Sequence, residues 1–530
     1  MPIVASRQPL RRIANRAAPA CLSLGLLSLG ACGAVASPAW AQYGPVDPYD
    51  SSLRVLRETL QSPNDGQQHA AMLALRELRD PASRTLLERM LHSDDWSLRV
   101  DSVLGLAELN EGQLIDPTMI ESLPRPSDRE VALSAALALE LVDAQRLEAV
   151  LAWPDLLSAQ RVVLLARQRR QGGTPAADAL MPLLDSKTPE VAGLALAILL
   201  DLGRSNADEA GAEPRIREMI AALPPRTRSA AVAQIAEAAS AERLAGAAPF
   251  IASLIALPEV AGDAKARALG SLLVLSPDHG YPVFAAEVEA DRSQLALLRQ
   301  AAILLASGVR APETEWKRVR NGDPLLETIA DAGVLLAQSD DAGAFGKLVG
   351  LRHRVAMRAA LEGARRLGPS SERALGLACV AFLEEAPRDL APALAEPTMR
   401  ALARLAVVAP EELEQPLVRA AESRERQDAL LLVLAAAGSP EAARVASTAR
   451  GRATRLGESL IALLRARSTD SVAAEELQLL GQIAGGAVAV DPAIRTQAAW
   501  LWLRHSNRTV NAVDALFPAA AAPGEPREAS

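Results

Sequence analysis

One eight-residue phrase restricts the fold of this chain more than any other feature. It reads Asp95-Trp-Ser-Leu98-Arg99-Val-Asp-Ser102 and returns as Asp491-Pro-Ala-Ile494-Arg495-Thr-Gln-Ala498. An acid at the head of such a phrase accepts hydrogen bonds from the free amides that open a helix. Around the first copy, Leu87, Met90 and Leu91 share one helical face and the polar turn His92 to Asp95 interrupts it. Leu98, Val103, Leu106 and Leu109 then line a second helix. The spacing predicts two helices joined by a short turn, with Asp94 or Asp95 as the cap.

The unit repeats. A shift of 93 residues lays Leu184, Ser186, Val191, Leu196, Leu199 and Leu202 over Leu91, Ser93, Leu98, Val103, Leu106 and Leu109. That shift amounts to three units of about 31 residues, within the range of helical repeat arrays. Between them, the stretch Ser127 to Leu139 fits at a shift of 33. Further helix pairs fit near 214–240, 242–276, 281–307, 312–338, 342–367, 371–405, 410–437, 439–467 and 470–505. Turns containing Leu223-Pro224-Pro225, Asn321-Gly-Asp323-Pro324, Gly368-Pro369 and Gly438-Ser-Pro440 stop and restart the helices. Half of the residues are hydrophobic but only 3% are aromatic, so Ala, Leu and Val must form the core. Ala and Leu favour helices, and no stretch alternates with the period of a strand. The expectation is an all-α array of about fourteen helix pairs over residues 51–516.

The Asp-x-x-hydrophobic-Arg-x-x-small phrase resembles the HEAT-repeat superfamily, in particular bacterial short repeats similar to the phycobilisome-lyase HEAT-like proteins. It persists in part at Asp128 with Val131, where Ala132 takes the Arg place, and at Pro189 with Val191, where Ala192 does. The resemblance implies an α-α superhelix whose second helices line a concave surface, and it implies no single function. At about 8–10 Å between packed helices, fourteen pairs would make a curved rod on the order of 120–140 Å long. The polar segment Arg204 to Pro214 interrupts the repeat and reads as a hinge, a binding loop or a solvated insertion.

The ends carry an address. Arg7, Arg11, Arg12 and Arg16, with no acid among them, precede an apolar stretch from Ala18 to about Ala36, the layout of an export signal. Ala39-Trp40-Ala41 suits ordinary cleavage after residue 41, whereas Leu29-Gly30-Ala31-Cys32 resembles a lipobox that would leave a lipidated Cys32 and a signal of residues 1–31. Residues 42–50 read as an extended tether and 517–530 as a disordered tail. Loss of residues 1–41 removes four arginines and no acid, which takes the net charge from −8 to −12. Nucleic acid is a poor partner for so acidic a chain. Cys379 is then the last cysteine, reads as a small buried hydrophobe, and cannot form an internal disulfide.

No catalytic, cofactor or metal motif stands out. His69, His92, His279, His353 and His505 occur singly, away from metal-ligand spacings. The Gly343-to-Lys347 stretch lacks the spacing and the Ser or Thr of a phosphate loop. Arginines recur at the starts of second helices, among them Arg99, Arg129 and Arg495. They form either a stripe for an acidic partner or an internal ladder to acids of the adjacent unit. Trp96 and Trp153 fall at turns, where aromatic anchors for a protein partner occur. Trp500 and Trp502, two apart on one helix, cannot share a face. One is therefore expected to cap the last apolar layer, with the other exposed or covered by Asn511 to Phe517. The functional expectation is an exported, non-catalytic scaffold or assembly factor for envelope proteins. It would reside in the periplasm or at the outer membrane, touching the membrane only through a lipid on Cys32. The alternative is a HEAT-like lyase or small-molecule handler with a site in a groove.

Overall fold

The computed structural model describes residues 47–93, 95–109, 117–121, 123, 126–154, 156–203, 211–385 and 392–517, and every regular element among them is a helix. The export region with Cys32, the cap candidate Asp94, residues 204–210 and the tail beyond Phe517 lie outside the described residues. The helices alternate along the chain as pairs. Among the described residues fourteen pairs follow one another, from Pro48–Leu60 with Asp65–Leu78 to Ala474–Ala484 with Pro492–His505, and a single helix, Thr509–Leu516, closes the series.

Local chemistry accounts for the starts of these helices. Asp95 Oδ1 accepts from the Ser97 amide at 2.8 Å, and Asp491 Oδ1 accepts from the Ala493 amide at the same distance. Both copies of the phrase thus fold alike, each supplying one orphan amide with a partner. One boundary is corrected. Pro48 opens a helix and Asp47 Oδ1 accepts from the Tyr49 amide at 2.9 Å, so residues 48–50 are a capped first turn rather than extended chain. Proline at a first helical position gives up only an amide that has no partner there anyway.

The described residues divide into two compact units, one of residues 47–146 with 402–517, the other within Leu147–Ala401. The divisions fall inside the helices Ala144–Leu151 and Pro392–Val408. In that second unit, Leu, Ala and Ile side chains with Phe250 form a continuous core from Val162 to Leu272. The stacking there is not strictly neighbour to neighbour. Helix Gln294–Ala306 packs directly on Arg354–Leu367, although the pair Glu313–Arg318 and Pro324–Ala337 stands between them in the chain. Gly363 permits this approach, since a Cβ there would stand 2.3 Å from the Leu305 carbonyl oxygen.

The first unit joins the first and last described helix pairs. Helices Pro48–Leu60 and Asp65–Leu78 pack on Pro492–His505. Gln61 Nε2 donates to the Leu516 carbonyl at 2.8 Å, and Arg89 pairs with Asp514 at 3.1 Å. Pro492–His505 is consequently buried at every position from Thr496 to Leu503, with no solvent stripe over that span. Among the described residues, the first and last helix pairs share one core within this unit. Trp500 and Trp502 are both buried, because opposite faces of their helix are covered from different sides.

Candidate functional site

Four arginines near the starts of second helices turn back onto the end of the preceding helix or the turn that follows it. Arg99 Nη1 donates to the Ser93 carbonyl at 2.7 Å, Arg129 Nε to Leu123 at 2.9 Å, and Arg495 Nε to Ala484 at 3.0 Å. Arg228 repeats the contact with the carbonyls of Ala221 and Leu223 at 2.6 and 3.0 Å. The last carbonyls of a helix lack intrahelical donors, and the planar guanidinium supplies several at once. Some of these arginines also reach forward. Arg99 binds Asp128 of the next pair, both side chains only 3% exposed, and Arg228 donates to Pro258 and pairs with Glu259 at 3.2 Å.

Arg99 is therefore corrected from partner anchor to internal rivet. Arg129 and Arg495 are half-buried and hold their own helix pairs together. Other second-helix arginines remain more open: Arg267 is 44% exposed beside Glu237 at 3.2 Å, and Arg358 is 50% exposed beside Glu396. Trp153 is half-buried in the turn after Ala144–Leu151, its amide donating to the Val150 carbonyl. Trp96 opens the helix Trp96–Leu109, and its side chain lies outside the described set. Cys379 is fully buried, and desolvation pushes its thiol up to about 12.

Two arrangements emerge only from the tertiary structure. The first is a polar cluster at the seam where the first and last described helix pairs meet. Trp500 Nε1 donates to Asp80 Oδ2 at 2.8 Å, and Gln497 Nε2 donates to the Ala74 carbonyl at 3.0 Å. Arg467 donates to the carbonyls of Ala435 and Glu77 at 3.1 and 3.2 Å. Gly438 makes room for that guanidinium, since a Cβ would lie 2.1 Å from the Arg467 Cζ, and its φ of +63° suits glycine. Around it, Arg76 bridges Asp101 at 3.0 Å and Glu108 at 2.7 Å. Trp500 with Asp80, Gln497 with Ala74 and Arg467 with Glu77 are partners hundreds of residues apart, and nothing local in the sequence marks them.

The second is a cavity of about 170 Å3 inside the Leu147–Ala401 unit, between helices Gly262–Leu275 and Gln294–Ala306. Lys265, Glu287, Arg299 and Gln300 line it with Leu269 and Ile303. Lys265 and Glu287 form an ion pair of 2.6 Å across it.

Fold and sites together define an all-helical repeat protein whose units are tied by arginine and carboxylate contacts. The chain matches no protein-family model and no curated protein.

Proposed function

We propose that this chain is an exported scaffold or assembly factor of the cell envelope, built on HEAT-like repeats and holding protein partners through successive helix pairs. The observation that carries the reading is the division of labour among its arginines. Arg99 is committed internally, whereas Arg267 and Arg358 keep half their side chains in solvent with a single carboxylate each. A guanidinium has five donors, so each of these retains capacity for a carboxylate or phosphate group of a partner. Two such groups on separate helix pairs suit several weak contacts on one extended partner better than one small ligand. The export-signal pattern supports placement in the periplasm or at the outer membrane, with Cys32 as the residue that would carry a lipid.

Cross-linking in intact cells, followed by identification of attached envelope proteins and of the mature N-terminus by intact mass, tests the reading. The paired variant Arg267→Ala/Arg358→Ala is expected to weaken capture of the cross-linked partner at least tenfold while leaving the thermal transition in place. Unchanged capture would defeat the arginine argument. The cavity between Gly262–Leu275 and Gln294–Ala306 supports the second reading, a small-molecule handler, because charged groups from two successive pairs converge there. Recovery of a bound small molecule by native mass spectrometry, lost in Lys265→Ala, would favour that reading over the scaffold.

A further inference from the structure

We propose that the cavity between Gly262–Leu275 and Gln294–Ala306 binds a small hydroxycarboxylate, its carboxylate held by Arg299 and the start of Gly262–Leu275 and its hydroxyl by Gln300. The inference deepens the small-molecule reading of this cavity and rests on it. Gln300 lines the space and is only 9% exposed, yet its Oε1 has no donor among the described residues. A buried amide oxygen left without a partner costs free energy, so a guest that brings an O–H is favoured there. The helix start is a second, independent feature. No side chain caps Gly262–Leu275, a helix of 14 residues, and Val260, Ala261 and Gly262 at its head line the same cavity. A Cβ at Gly262 would meet nothing within 4 Å, so the space beside the helix end is open. The opening amides of a helix lack intrahelical acceptors and carry the positive end of its dipole. Asp263, in the first turn, is exposed and is not part of the lining.

Charge sets the class of ligand. Lys265 and Glu287 cancel each other through their 2.6 Å pair. Arg299 forms no ion pair among the described residues, and its charge reaches Asp291 without a salt bridge between them. The lining thus carries one surplus positive charge beside uncapped amides, which suits a single carboxylate, and the guanidinium can hold that group through two parallel N–H donors. A carboxylate alone would still leave Gln300 Oε1 without a donor, whereas a hydroxyl on the same molecule supplies one. A zwitterion would bring its ammonium into a lining that is already net positive. Leu269 and Ile303 give the guest an apolar wall. At about 170 Å3 the cavity is slightly larger than the cavity of about 150 Å3 known to hold benzene, so a guest of roughly six heavy atoms fills it.

Isothermal titration of lactate into the extensively dialysed whole protein tests the assignment, with propionate, which lacks the hydroxyl, and alanine, which replaces it with an ammonium, as comparisons. Lactate is expected to bind about tenfold more tightly than propionate, the effect of one hydrogen bond. Arg299→Gln, at an exposed position, should weaken both about tenfold or more. Gln300→Leu, close in volume, should remove the preference for lactate while leaving propionate binding in place. Equal binding of lactate and propionate, tighter binding of alanine, or an affinity unchanged in Arg299→Gln would overturn the proposal. So would the absence of any heat beyond dilution, which would mean that solvent fills the cavity. Recovery of a different small molecule by native mass spectrometry, with lactate unbound, would overturn the hydroxycarboxylate and keep the small-molecule reading. Because Arg299 is exposed, its variant decides the matter even where Gln300→Leu folds poorly.

Discussion

Trp500 shows how much one side chain can depend on a distant one. Its ring is fully buried and its Nε1 donates to Asp80, 420 residues earlier in the chain. Replacing it with Phe keeps an aromatic ring but leaves the buried Asp80 Oδ2 without this donor. The expected cost is about 1–3 kcal/mol, read from chemical denaturation with Trp500→Phe against wild type. Denaturation curves that superimpose would show the bond to be inconsequential. Cys379 gives a second residue-scale prediction, this one legible from its run of small apolar neighbours. With the thiol buried and pushed up to about 12, iodoacetamide at pH 8 should leave the Cys379 peptide unmodified in folded protein and label it fully in denaturant. Labelling at equal rates would contradict the burial.

At the scale of elements, the repeated phrase explains both the helix starts and the ties between pairs. Asp95 and Asp491 cap, and Arg99 and Arg495 return to the preceding helix, through contacts spanning at most eleven residues. Such contacts are readable because a turn of fixed length brings the same positions together each time. The choice between an acidic-partner stripe and an internal ladder was not readable, since it depends on whether the next pair brings a carboxylate within reach. For Arg99 it does, through Asp128. Arg99→Met should therefore cost about 3–5 kcal/mol by leaving Asp128 buried without its cation, whereas Arg99→Met with Asp128→Leu should recover most of that loss. Thermal unfolding of the single and double variants measures it, and additive losses would mean that the two side chains do not act as a pair.

Across the whole molecule, the decisive contacts are those that join the ends within the first unit. Helix Pro48–Leu60 fully buries Val55, Leu56 and Leu60, which together are worth roughly 5 kcal/mol of burial. Removing residues up to Gln61 should uncover the Pro492–His505 helix and shift tryptophan emission to the red. It should lower the first unit's transition and leave that of the Leu147–Ala401 unit in place, as separated by calorimetry. An unchanged emission and a single unchanged transition would mean that the ends are not held as described. By itself, the sequence determined the helical class, about fourteen pairs, the caps at Asp95 and Asp491 and the burial of Cys379. Each follows from apolar periodicity and turn chemistry that act within about thirty residues. Only the tertiary structure decided that the first and last described helix pairs meet, that Trp500 and Trp502 are both buried, and that Gln294–Ala306 packs on Arg354–Leu367. Those outcomes rest on which surfaces find each other after hundreds of intervening residues, and a repeated apolar face presents many near-equal surfaces. Particular features then select among them, including the room left by Gly363 and Gly438 and the polar match of Asp80 with Trp500.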